Sequence, residues 1–427
     1  MLGFAGAFGR LFFGALEVGA FLELEVPHKL ITASEAKMTS KSMTADSYVS
    51  HANALLRAGK NEEAVAYLAL VVATQPTDHA AWHLLSVAET QRRRHADALN
   101  AIKRALALAP NDLTYQQQHG FTLVNLRRFE AAIGVLLPVV RALPDDYPTM
   151  RGLQVAYYHA GKYSHAVALG RKLLTLEDST VMAIARGSPS ADIMPISRGD
   201  ARVISSSLPD ANPLLGLGAI ANARLAQRIY PGWKCRIYVG QTVPANTKAA
   251  LRKQGAEIVE AWEQCADIPP ALWPCLAADD PGVAVFLCRS CSARLGEKDA
   301  AAVDAWLCSG KRAHVMRDHI LHRNLVLPGM WGARTDNALF VTARMRRFMA
   351  AYGNPPNGLE QRFLDGEIWP AIRDDCLIHD SYYPLFGAQP FPAMGKGNDQ
   401  FHVGMGITGE AALRREAQSL GLPWPLI

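Results

Sequence analysis

The twelve residues from Phe286 to Glu297, FLCRSCSARLGE, put two arginines, two serines and two cysteines into a short polar turn that ends an apolar run. Guanidinium groups grip phosphate oxygens in pairs, so Arg289 and Arg294 have the chemistry to neutralise a diphosphate. Ser290 and Ser292 offer only hydroxyls, which are weak ligands for a hard divalent cation. Cys288 and Cys291 stand at C-x-x-C spacing, which can bind zinc or act as a redox pair. Cys288, however, falls inside the apolar run, where a thiol is an ordinary small core residue, and no second C-x-x-C or His pair stands at zinc spacing nearby.

Four further clusters could do chemistry. HVMRDHILH gathers His314, Arg317, Asp318, His319 and His322 within nine residues. Such a run can pair with hydroxyls and phosphates, or it can be a solvated loop with an internal Arg–Asp pair. GMWGAR flanks Trp331 with Gly329, Gly332 and Arg334. The indole offers a flat face on which a sugar ring stacks, or a plug for the core. Glu360 in GLEQRFL is a candidate general base, and equally an acid favoured near a helix N-terminus. His379 and Asp380 in IHDSYY follow a short strand; the imidazole suits a metal ion, a phosphate or a structural hydrogen bond.

The elements that must position these groups alternate. ARVISSSLP, KCRIYVG, AEIVE, VAVFLCR and AHVMRD read as strands, with helices expected at 213–229, 245–255 and in EKDAAAVDAWLCSG. That alternation predicts an open, mostly parallel sheet covered by helices on both faces. Ligands of such sheets bind beyond the carboxyl ends of the strands. Three loops then belong to the candidate site: Ser205 to Pro209, Arg289 to Arg294 and Arg317 to Arg323.

The first half of the chain has a different period. Ala64, Ala98, Ala132 and Ala166 are spaced by 34, as are Pro76, Pro110 and Pro144. Blocks at 45–78, 79–112, 113–146 and 147–178 each read as two helices joined by a turn; a small Ala lets the helices approach and Pro stops the second one. The pattern resembles the tetratricopeptide repeat, with Trp82, Leu85, Ala98, Ala105 and Pro110 on that motif's positions. It predicts an α-solenoid over 45–178 that presents a concave surface to a peptide or protein partner, or that caps the following domain. Gln116, Gln117, Gln118 and His119 are candidates to face that groove. Small and turn residues predict a linker over 179–200, with the α/β domain over 201–427.

Composition narrows the function classes. The chain has 427 residues, 19% charged, with a net charge of +5 and no dense basic block, which argues against nucleic-acid binding. Seven cysteines, all between 235 and 376, fit reduced thiols in a cytoplasmic protein better than a disulfide framework. The apolar extension over 1–42 has no basic segment ahead of it, which argues against a signal peptide, and Arg10, Glu17 and Glu23 interrupt it, which argues against a membrane span. Met43 opens directly onto the repeats. The extension therefore reads as an upstream start outside the working protein, as a weak amphipathic anchor, or as a secretion signal.

HVMRDH, MWGAR and IWP followed by HDSYY, in that order over roughly 200–407, resemble a group of bacterial glycosyltransferase-like domains with a GT-A type core, some fused to tetratricopeptide repeats. The resemblance implies a nucleotide-sugar donor and a protein or glycan acceptor. It implies donor contacts at Arg289, Ser290, Ser292, Arg294, Arg317, His319, Trp331 and Arg334, with Glu360 and Asp318 in catalytic roles. It also implies Mn²⁺ or Mg²⁺ held at the turn, with His379 completing the metal shell. In that family the turn reads Arg-Asp-x-Asp-Ser-Arg, whereas here serines stand at 290 and 292. Two readings follow. In one, sugar transfer is metal-independent, with Arg289, Arg294 and the helix N-terminus at Gly296 to Asp299 neutralising the diphosphate. In the other, catalysis is lost and the domain serves as a scaffold or binding module.

Overall fold

The computed structural model describes residues 45–185, 199–335, 339–352, 358–393, 402–407 and 409–425, so the apolar extension lies outside the described residues. Two compact units divide between Leu173 and Leu174. Among the described residues no helix is long and apolar enough to cross a membrane.

The first unit is the expected α-solenoid. Its helices are Ala45–Arg57, Asn61–Thr74, His79–Gln91, His95–Leu108, Leu113–Asn125, Phe129–Ala142, Tyr147–His159 and the start of Tyr163–Ala185. The repeat has a local code. Asp78, Asp112 and Asp146, 34 apart and each two residues after a proline, cap the first helix of a block by accepting from backbone N–H groups of Ala81, Tyr115 and Thr149 at 3.0, 3.1 and 2.9 Å. Ala64, Ala98, Ala132 and Ala166 are all 0% exposed. At Gly120 a Cβ would lie 2.2 Å from Leu136 Cδ2, so that helix crossing needs glycine. The glutamines expected in a groove are spent between repeats instead. Gln117 Nε2 donates to Asp146 Oδ2 at 2.7 Å, Gln118 Nε2 to Thr90 Oγ1 at 3.1 Å, and Gln116 Nε2 to Pro110 O at 2.9 Å.

The helix Tyr163–Ala185 runs through 179–185, where the sequence reading begins a linker. STVMAIA holds no Gly or Pro to stop it.

The second unit is the expected α/β domain with a mostly parallel sheet. Seven strands, β1 (Ala201–Leu208), β2 (Lys234–Val239), β3 (Glu257–Glu260), β4 (Val283–Cys288), β5 (Ala313–Arg317), β6 (Trp331–Arg334) and β7 (Cys376–Asp380), lie in the order β3-β2-β1-β4-β6-β5-β7. All neighbours are parallel except β6, which is antiparallel to β4 and β5. GMWGAR is absent from the strands expected in the sequence, and its four residues Trp331–Arg334 form β6. Gly332 permits it, because a Cβ there would lie 2.5 Å from Phe286 O. The chain order reverses between β1 and β4, the place where open α/β sheets take ligands beyond the carboxyl ends of their strands. The turn after β4 sits at that switch point.

Candidate functional site

Every polar group of the turn at the switch point is engaged by the fold. Arg289, 5% exposed, donates from Nε and Nη2 to Asp299 Oδ2 and Oδ1 at 3.0 and 2.7 Å, and from Nη1 to Cys288 O and Trp331 O at 2.8 and 3.2 Å. Burial opposes its charge, but Asp299 more than restores it, so Arg289 holds its proton above the ordinary arginine range. Arg294 donates from Nε and Nη2 to Glu416 Oε1 and Oε2 at 2.7 and 2.6 Å, and from Nη1 to the carbonyls of Cys291, Ser292 and Ala293, each at 3.2 Å. Ser290 Oγ and Ser292 Oγ bond each other at 2.7 Å.

Neighbouring elements clamp the backbone of the turn. Asn222 Nδ2, on the helix Pro213–Ile229, donates to Ser290 O and Ala293 O at 3.4 and 2.9 Å, and its Oδ1 accepts from Leu295 N at 3.1 Å. Arg294 N donates to Met405 O at 3.1 Å. A Cβ at Gly218 would lie 1.9 Å from Cys291 O. The recess left beside Asn222, Arg289, Ser290, Arg294 and Asp299 is about 10 Å³, room for about one water. Small-molecule sites run to roughly 300–1,000 Å³.

A second cluster forms at the carboxyl ends of β5 and β7. Arg317, 0% exposed, ion-pairs through Nε with Asp380 Oδ2 at 2.6 Å and donates from Nη1 to Leu325 O at 2.9 Å. Asp318 is buried as well; it accepts from Lys298 Nζ at 2.7 Å, from Val403 N at 2.8 Å and from Ser381 Oγ. His319, His322 and His402 meet as a triangle with ring centroids 5.6, 4.9 and 5.2 Å apart. A backbone N–H can only donate, so two of these tautomers are fixed. His322 Nδ1 accepts from Asp318 N at 3.0 Å and His319 Nδ1 from Leu321 N at 3.1 Å, leaving both Nε2 atoms protonated in the neutral rings. A metal needs lone pairs there, and among the described residues no group of three or more His, Cys, Asp or Glu is arranged to hold one. Burial, then His402, His319, Arg317 and Arg323, push His322 well below the usual imidazole range.

The remaining candidates are scattered. Trp331 is 0% exposed and packs edge-on to Phe286, ring centroids 5.1 Å apart, so it plugs the core and has no face to give a sugar. Arg334 Nη2 donates to Leu307 O at 2.8 Å, tying down the end of the helix Glu297–Ser309. The expected metal ligand His379 is 2% exposed, and its Nδ1 meets His314 Nε2 at 2.8 Å; burial lowers His379 to about 4. C-x-x-C is not a pair. Cys288 Sγ lies 3.9 Å from Cys275 Sγ, while Cys291 Sγ points to Ser207 O at 3.2 Å, because residues at a strand end and in the following turn face different neighbours. Glu360 is half-buried on the short helix Leu359–Phe363, with no side-chain hydrogen bond among the described residues, and burial raises its carboxyl to about 8.

The partners that decide this picture, Asp299, Glu416, Lys298, Ser381 and His402, were missed in the sequence. Lys298 and Asp299 read as ordinary first-turn residues of a helix. Glu416 lies 122 residues from Arg294, with nothing in its surroundings to announce the pairing.

The tetratricopeptide repeat family model matches residues 49–112. No curated protein matches the chain in sequence. Among solved structures, MamA from Desulfovibrio magneticus RS-1 is 21% identical, with 34% of this chain and 87% of that one covered, at a TM-score of 0.29. MamA AMB-1 is 26% identical over 33% of this chain and 83% of that one, also at 0.29. A mutant of Thermobaculum terrenum O-GlcNAc transferase is 18% identical over 58% of this chain and 47% of that one, at 0.32. At TM-scores this low nothing about the present chain is drawn from these structures.

Proposed function

We propose that this chain is a tetratricopeptide-repeat interaction protein whose α/β domain keeps the framework of a nucleotide-sugar transferase without a working donor site. The reading rests on one observation: both arginines of the switch-point turn are saturated by internal carboxylates, Arg289 by Asp299 and Arg294 by Glu416. A diphosphate that recruited Arg289 would leave Asp299, 3% exposed, as an unpaired buried charge. Stranding such a charge costs roughly 3–5 kcal/mol, which cancels most of what a new charge-assisted contact contributes. The paired serine hydroxyls supply no charge to hold a divalent ion in its place. The repeats are then the working part, holding a peptide or protein.

The test is thermal unfolding of the full chain with UDP, GDP, CMP and their sugars, each with Mn²⁺ or with EDTA. A ligand at a hundredfold excess over Kd stabilises by about 2.7 kcal/mol, so modest affinity is visible. The expected result is no nucleotide-specific shift. A shift specific to one nucleotide overturns the proposal.

Glu360 favours a second reading. A half-buried carboxyl with its proton held to about 8 and no side-chain hydrogen bond among the described residues has the properties of a general base near neutral pH. In this reading the domain transfers sugar without metal to a protein or glycan acceptor, with Glu360 as base, Asp318 beside the acceptor and His319 at the donor. Donor turnover that is lost in Glu360→Gln supports it; absence of turnover in the wild type removes it.

A further inference from the structure

The turn inside each repeat is built alike. Gly59, Arg93, Arg127 and Gly161 stand 34 residues apart, and all four have positive φ, at 73°, 62°, 59° and 74°. Glycine adopts that conformation without steric cost, whereas arginine does not. The two central repeats therefore keep a strained arginine where the two outer ones have glycine. Strain retained in this way points to a use for the side chain. The next residue is basic in all four turns: Lys60, Arg94, Arg128 and Lys162.

Ion pairs tie the second turn to the first and the fourth to the third, and the 34-residue stacking of the repeats sets successive turns along one edge. Arg92 Nε donates to Glu62 Oε1 at 2.8 Å from the second turn to the first, and Lys162 Nζ to Glu130 Oε2 at 2.6 Å from the fourth to the third. With Lys60–Glu63 at 3.1 Å, these pairs neutralise Glu62, Glu63 and Glu130. Asp97 is an exposed acid with no ion pair among the described residues. Against it stand Arg94, Arg127 and Arg128, all exposed and also without an ion pair among the described residues. The edge is thus a row of surplus guanidinium groups interrupted by neutralised pairs.

We propose that this edge docks an acidic polypeptide segment whose carboxylates engage Arg94, Arg127 and Arg128. The proposal rests on the reading of the repeats as an interaction module, and it names the surface and the partner's chemistry. Arg–carboxylate pairs are bidentate and directional, which suits spaced side chains on a peptide. These guanidinium groups are separated along the edge by Asp97 and by ion-paired glutamates, a spaced pattern that individual carboxylates on a peptide can match and that the continuous charge of a polyphosphate or an anionic membrane does not.

The experiment is fluorescence anisotropy of a labelled oligoglutamate peptide with the full chain, at low and at physiological salt. Oligolysine, single-stranded DNA and phosphatidylserine vesicles are the comparison probes. The triple variant Arg94→Gln, Arg127→Gly, Arg128→Gln removes three charges and relieves one strained φ, so its thermal midpoint should be equal or higher while peptide affinity falls roughly tenfold. Lys103→Gln with Arg104→Gln, on the helix His95–Leu108, is the control and should change affinity little. Salt should weaken wild-type binding, since exposed charges are screened over about 8 Å at physiological ionic strength. Peptide binding that survives the triple variant overturns the edge and leaves the interaction reading standing. Tighter binding of DNA or vesicles than of peptide overturns the partner class. Failure of the wild type to bind oligoglutamate overturns the proposal, while the nucleotide titration separately judges the interaction reading.

Discussion

Arg294 and Glu416 form a bidentate ion pair, 2.7 and 2.6 Å, that closes the switch-point turn against the helix Glu410–Ser419 across 122 residues of chain. Their side chains are 12% and 14% exposed, so the pair is largely shielded from water. The switch-point turn is thereby anchored to that helix.

Removing one member of that pair strands the other. Arg294→Ala and Glu416→Ala should each destabilise by about 3 kcal/mol. The double variant Arg294→Met, Glu416→Leu should cost clearly less than the sum, since it leaves no orphaned charge. Urea unfolding of the three variants checks this; additive losses would mean that the two side chains do not act on each other.

Glu360 should make stability fall as pH rises. The folded protein holds this proton to about 8, whereas the ordinary carboxyl value of 4.5 applies to the unfolded chain. The folded state therefore binds more protons between those values, and stability is lost across that window. Glu360→Gln should be more stable than the wild type at pH 8 by about 4 kcal/mol, with the difference vanishing near pH 4. A constant difference at all pH values would place its carboxyl in the ordinary range.

Histidine burial works at the acid end. His379 is lowered to about 4, and burial with neighbouring positive charge holds His314 and His322 well below 6.5. The unfolded chain takes up these protons first, so stability is fully present above about pH 6.5 and declines as pH falls toward 4. His379→Asn should flatten that decline by close to one proton's worth of slope in a plot of unfolding free energy against pH. An unchanged slope would mean that His379 protonates freely in the folded state.

Much of the fold was legible because its instructions are local. The 34-residue period carries a small Ala, a proline, an aspartate cap and a positive-φ turn in nearly every unit, and each acts within a few residues of itself. The alternation of strands and helices beyond residue 200 was legible for the same reason. The strand Trp331–Arg334 was not, since four residues around a glycine have no periodicity and pair only because β4 and β5 leave a gap between them.

The candidate site divides along the same line. The sequence by itself determined which chemistry was absent from the turn, because serine cannot become a carboxylate in any fold. It also placed Arg289, Arg294, Arg317, Asp318 and His379 at or next to strand ends. Only the tertiary structure decided what those groups face. Asp299 takes Arg289, Glu416 takes Arg294, Asp380 takes Arg317, His314 takes His379, and Trp331 turns into the core. A charged side chain reaches several ångströms in any direction and pairs with whatever the packing of distant elements brings to it. That choice has no spacing in the chain from which it could be read.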